Sequence, residues 1–239
     1  MIKPILPLML LLAAGLPGTA QDAATGEIIK KHLEASGAAA LQKVNTIVMT
    51  GSIQQQDLMP VKIIRMRPDR YLMQFDVADI TAFQGYDGQT AWWTLPWTGN
   101  AKPQRMPDDR LSDLKTKADF DGLLFDWKAK GHQIESTGRD TVGNVVAYRL
   151  KITKNDGKTE YVSIDPTRYL LLKRTYFRVI RGKEVAFDLY YRDYRPVEGI
   201  PFAFTVETQV GGQLYNTLLF DTIELNTPVE ADRFHMPQK

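Results

Sequence analysis

None of the 239 residues is a cysteine. That excludes a disulfide scaffold, a thiolate metal centre and a thiol nucleophile. Histidine is scarce: His32, His132 and His235 are scattered, and none belongs to an H-E-x-x-H pattern. There is no G-x-S-x-G nucleophile turn and no phosphate-binding P-loop. The carboxylates Asp119, Asp121 and Asp126 in ADFDGLLFDW begin like a calcium loop but lack its later ligands. A solvated helix face explains them better. Neither sign of charge dominates. Lys and Arg number 30 and Asp and Glu 28, interspersed without blocks, so no nucleic-acid-binding tail is present. Beyond the first twenty residues no stretch is continuously apolar over about 18 residues, the length a membrane-spanning helix needs.

What is present begins with an export signal. MIKPILPLMLLLAAGLPGTA combines Lys3, an apolar stretch from Ile5 to Leu16 and a small-residue ending at Gly18-Thr19-Ala20. The pattern predicts a signal peptide over 1–20, cut after Ala20, and a periplasmic chain over 21–239. Removing Lys3 with the leader takes the net charge from +2 to +1. That length suits one domain, and no low-complexity linker divides it.

From Asp22 to about Leu41 apolar residues recur at near-helical spacing, which predicts one amphipathic helix weakened at Gly37. From Asn45 the period becomes two. TIVMTGSIQ, VKIIRMR, RYLMQFDV, ITAFQGY and TAWWTLPW read as antiparallel strands, with Asp87-Gly88 as a turn. Residues 106–131 predict one or two short helices, interrupted near Gly122 and ended by Gly131. Strands resume at Ile134 and run to the end, separated by turns such as Asn155-Asp156-Gly157 and Gly211-Gly212. The fold class expected is α+β: a curved antiparallel sheet of about eleven strands, an incomplete β-barrel, with helices over an apolar concave face. Alternation within AWWTL sends Trp92 and Trp93 to opposite faces, so they cannot form one stacking platform.

Ile64-Arg65-Met66-Arg67-Pro68, followed by an alternating strand and then YDGQTAWWTLPW, resembles the LolA/LolB-like superfamily of periplasmic outer-membrane lipoprotein-sorting carriers. The matching residues are Arg67-Pro68, then Asp87, Gly88, Thr90 and Trp92, with Pro96 and Trp97 after them. Asn226, Phe234 and Pro237 match the superfamily's ending. The long segment 106–131 and YRDYRPVEGIPF depart from the carrier pattern and mark a divergent branch. The resemblance implies an incomplete barrel closed by helices around a hydrophobic cavity that holds acyl chains. It also implies that Arg67 holds the lid by bonding to helix backbone.

On that basis the expected cavity lining is Met49, Met66, Met73, Phe75, Trp93, Leu95, Phe187, Leu189, Phe204 and Phe220, with Leu124 and Trp127 from the lid. Methionines suit variable chains because they are flexible and polarizable. Residue by residue, the competing reading is ordinary core. The function expected is a carrier for the acyl chains of a lipoprotein or lipid, passed from a membrane-protein donor to an outer-membrane acceptor. No cofactor, metal, catalytic residue or nucleic-acid partner is expected. The alternatives are a periplasmic lipid-sensing regulatory module of the same fold and, behind it, a hydrolase.

Overall fold

The computed structural model describes residues 17–77 and 80–238, so the apolar part of the leader lies outside the described residues. Helix α1 (Pro17–Ala35) stops at Gly37, whose φ of 68° turns the chain into the short α2 (Ala38–Leu41). A left-handed residue breaks the helical ladder, and glycine is the residue that adopts it at least cost. The single helix expected over 22–41 is therefore two. Ile28, Ile29 and Leu33 turn one face of α1 onto the sheet.

The first half of the sheet is a meander. It comprises β1 (Thr46–Gln54), β2 (Leu58–Met66), β3 (Arg70–Val77), β4 (Ile80–Tyr86), β5 (Ala91–Leu95) and β6 (Asn100–Arg105). Helix α3 (Asp108–Ala118) then crosses the concave side, and turns occupy 119–131. A second meander follows: β7 (Gln133–Val142), β8 (Val145–Thr153), β9 (Thr159–Ile164), β10 (Leu171–Ile180), β11 (Lys183–Val197), β12 (Ile200–Val210) and β13 (Gln213–Leu225). The strands form one antiparallel sheet, ordered β6-β5-β4-β3-β2-β1-β13-β12-β11-β10-β9-β8-β7. It does not close into a barrel, since β6 and β7 remain as edges.

The count is thirteen rather than about eleven. β6 escapes the alternation rule because NAKPQR carries no apolar periodicity. Its Lys102 and Pro103 suit an edge, where they discourage pairing with another sheet. Only one helix forms between 106 and 131, and the part expected to be a second helix is a run of turns.

The first and last strands join the two meanders. Ile47 pairs with Leu225, and Asn45 N–H donates to Asn226 Oδ1 at 2.8 Å. The register slips between Thr50 and Gly51, where a Cβ on Gly51 would lie 2.0 Å from the Leu219 carbonyl oxygen. Glycine here lets β1 and β13 approach at a bulge, which bends the sheet.

Two apolar layers result. On the concave face Ile47, Ile53, Val61, Ile63, Tyr71, Phe204, Phe220 and Ile223 pack with Leu114, Ala118 and Phe120. On the convex face Val48, Ile64, Leu72 and Trp92 surround Phe234, which sits in a 3-10 turn (Ala231–Phe234) and is fully buried. Burying a phenylalanine is worth about 1.5–3 kcal/mol, so the C-terminal segment is anchored where strands alone would leave an apolar face wet.

Candidate ligand-binding site

Helix α3 and the turns after it cover the middle of the concave face. Leu111, Leu114 and Ala118 point into the apolar cluster, and Phe120 follows them. Polar contacts then pin this cover. The Arg67 guanidinium forks onto the Asp121 carboxylate, with Nη1 to Oδ2 at 2.7 Å and Nη2 to Oδ1 at 2.6 Å. It also donates to Leu41 O at 2.9 Å and Val44 O at 2.7 Å, and lies 4.3 Å from the centre of the Phe120 ring. Arg65, two residues earlier at the end of β2, donates to the Asp119 carbonyl. Burial pulls the Arg65 pKa down, against the attraction of Asp119. Lys130 closes the turn by binding the Asp119 carboxylate at 2.7 and 2.8 Å and Gly122 O at 2.7 Å. One strand end therefore ties α2, the chain before β1 and the lid together.

Asp119 and Asp121 are thus ion-paired latch groups on a turn, not a solvated helix face. Among the described residues no group of three or more His, Asp and Glu side chains gathers where a metal could sit. No helix among them is long and apolar enough to cross a membrane.

Beyond the lid the interior changes character. A cavity of about 860 Å³ lies between α3 and strands β8 to β11. Its walls carry Arg110, Lys117, Lys154, Lys158, Arg174, Arg178 and Arg181 against Asp113, Glu160 and Glu184. Glu160 is buried between Lys154 at 2.9 Å and Arg174 at 2.7 Å. Burial acts to raise its pKa, but the two cations overcome this and hold it below the usual carboxylate range. Asp113 faces Arg178 at 3.1 Å, and burial raises its pKa. Lys117 lies on the cavity wall with its side chain exposed, 5.8 Å from the centre of the Tyr71 ring.

Neither a family model nor a curated sequence matches the chain. Among the solved structures that match are three that align across nearly their whole length. They are a DUF1329 family protein from Desulfovibrio piger (13% identity, 88% of this chain and 97% of that one, TM-score 0.62), a LolA superfamily protein from Nitrosomonas europaea (12%, 88% and 97%, 0.60) and a putative outer membrane lipoprotein-sorting protein domain from Vibrio parahaemolyticus (15%, 86% and 97%, 0.56). The fold is LolA-like. What is shared at these identities is the path of the chain.

Within this LolA-like frame the expected lining residues divide. Met49, Met73, Phe75, Trp93, Phe204 and Phe220 belong to the packed concave cluster. Leu95 lies on β5 two residues beyond Trp93, on the same face by alternation. Leu124 and Trp127 pack under α1 with Ile134, Leu150 and Ile152. Leu189 lines the cationic cavity, and Phe187 stacks on Tyr176 beside it at 5.1 Å. Met66 stands apart. It packs with Trp92 and Phe234 on the convex face, because β2 alternates and its concave neighbours are Ile63 and Arg65. Arg65 and the cavity cations were missed. For Arg174 and Arg178 the signal was present in the alternation of β10, where they share one face with Tyr176.

Among the described residues, seven of the eight exposed large apolar side chains mark one margin of the sheet, Val146 at the β7–β8 hairpin being the exception. Leu58, Ile80, Trp97, Val179, Ile180, Leu214 and Tyr215 all lie at or beside hairpin tips. In an antiparallel meander alternate hairpins leave by the same margin, and those joining β1–β2, β3–β4, β5–β6, β10–β11 and β12–β13 do so here.

Proposed function

We propose that this protein is a periplasmic carrier that holds the acyl chains of a lipoprotein or lipid against its concave face for sorting to the outer membrane. The observation that carries this reading is the latch: an apolar cluster on an open sheet is covered by one short helix whose far end is held by charged and polar contacts. Ion pairs and hydrogen bonds to a partly exposed arginine exchange readily with water, whereas the sheet beneath is continuous. Breaking the latch frees α3 and the turns after it without unpairing a strand. The cluster then offers Met49, Met59, Met73, Phe75 and Trp93 to a hydrocarbon chain in place of Leu111, Leu114 and Phe120.

The energetics suffice without a cofactor. Each buried methylene is worth about 0.8 kcal/mol, so a 16-carbon chain gives roughly 12 kcal/mol before ordering costs. The apolar hairpin margin supports contact with a membrane-bound donor or acceptor, where Trp97 and Tyr215 suit the interface. In this reading residues 1–20 direct export and are removed.

Native mass spectrometry of the gently purified protein is the test. Bound or loadable lipid is expected, and Arg67→Leu is expected to shorten its retention while the protein stays folded. No lipid under any loading condition, or equal retention by Arg67→Leu, overturns the carrier reading or the latch respectively.

A further inference from the structure

We propose that the cavity between α3 and β8–β11 binds a phosphoryl anion, the head of an amphiphile whose chains occupy the neighbouring apolar cluster. The chain part rests on the carrier reading above; the anion site stands on the cavity itself.

Charge balance is the first ground. The two carboxylates that point inward are already committed, Glu160 to Lys154 and Arg174 and Asp113 to Arg178. Lys117, Lys158 and Arg181 then face the same space, with only Glu184 of opposite sign added to the walls. These cations come from three separate elements: α3, the β8–β9 hairpin and the β10–β11 turn. Convergence of that kind on a cavity is how a protein raises the local concentration of an anion. Arginine adds a planar fork suited to phosphoryl oxygens, and lysine a compact point charge.

The second ground is continuity. Leu189 lines the cavity and its neighbour across β12 is Thr208, two residues from Val206, which packs on the apolar cluster. One concave surface therefore runs from hydrocarbon-like to cationic, and that is the polarity of an anionic amphiphile.

The test is calorimetric titration of the intact delipidated protein with three probes: inorganic phosphate, dihexanoyl phosphatidic acid and neutral dihexanoyl glycerol. The double variant Lys158→Glu/Arg181→Glu changes two exposed side chains, and its melting curve checks that it folds. Phosphatidic acid is expected to bind about tenfold or more tighter than the neutral lipid. The variant should lose that preference while keeping its affinity for the neutral lipid, and added salt should weaken only the anionic ligand. Phosphate binding as tightly as phosphatidic acid, and lost in the variant, supports the anion site with a free phosphate as its source. Phosphate binding without either lipid keeps the anion site and sinks the carrier reading. Equal affinity for charged and neutral lipid in both proteins overturns the inference and leaves the carrier reading intact. No binding of any probe removes both.

Discussion

At Gly85 one hydrogen atom stands where any other residue would place a methyl. A Cβ there would lie 2.3 Å from the Trp92 ring, which lies across β4 from the paired strand β5. Trp92 cannot yield, since it is 2% exposed and its Nε1–H donates to Phe234 O at 2.7 Å. Gly85→Ala is therefore expected to destabilise the fold by about 1–3 kcal/mol, as overpacked cores do, and to release the C-terminal segment. Urea denaturation and amide exchange at 229–236 check this; a variant as stable as the parent would show that Trp92 is free to move. Arg67 acts by charge and not by volume. Its side chain is 23% exposed and that of Asp121 20%, so the pair is only partly desolvated. Arg67→Leu should cost about 1–3 kcal/mol, counting the orphaned carboxylate and the lost bonds to Leu41 and Val44. Its signature is local: exchange should quicken over 119–131 and leave β1 to β3 unchanged.

The helices show how weakly an element's boundary is written in its own residues. Periodicity marks α1, but its end depends on Gly37 and its position on what it packs against. His32 is the telling contact. Its Nδ1–H donates to Tyr169 O at 2.8 Å, and burial lowers its pKa below the ordinary 6.5 despite that bond. A depressed histidine favours the folded state while neutral, so its stabilising contribution is full above pH 6.5 and falls away as acid charges the ring. Docking of α1 on β7 to β9 should loosen as the pH falls below 6.5, seen as faster exchange in 25–35, and His32→Gln should flatten the dependence. No change in exchange across that range would show that the ring finds a new acceptor. β6 teaches the converse: an edge strand with Lys102 and Pro103 is built to look unlike a strand.

For the whole molecule the consequence lies in where the hairpins point. Apolar tips come from both meanders, from Leu58 in the first to Tyr215 in the last hairpin, and only the β1–β13 pairing puts them on a common margin. If that margin meets membranes during loading, Trp97→Ser/Leu214→Ser should lower co-sedimentation with phospholipid vesicles several-fold, without altering the melting curve. Equal co-sedimentation would remove the margin from the transfer step.

Alternation with period two was enough to identify nearly all the strands, the opposite facing of Trp92 and Trp93, and the apolar concave side, because strand geometry is local. The Arg67-Pro68 and Asp-Gly-x-Thr-x-Trp motifs pointed to a LolA-like chain path, and the solved neighbours share that path. Other features came only from folding in three dimensions. Asp121 meets Arg67 across 54 residues, and Met66 turns to the convex side with Trp92 and Phe234. The cations of α3 and β8–β10 converge on one cavity because α3 lies across strands far from it in sequence. Burial and pairing between distant residues carry no periodic signature along the chain, and those are the interactions that shape the lid, its latch and the charge of the interior.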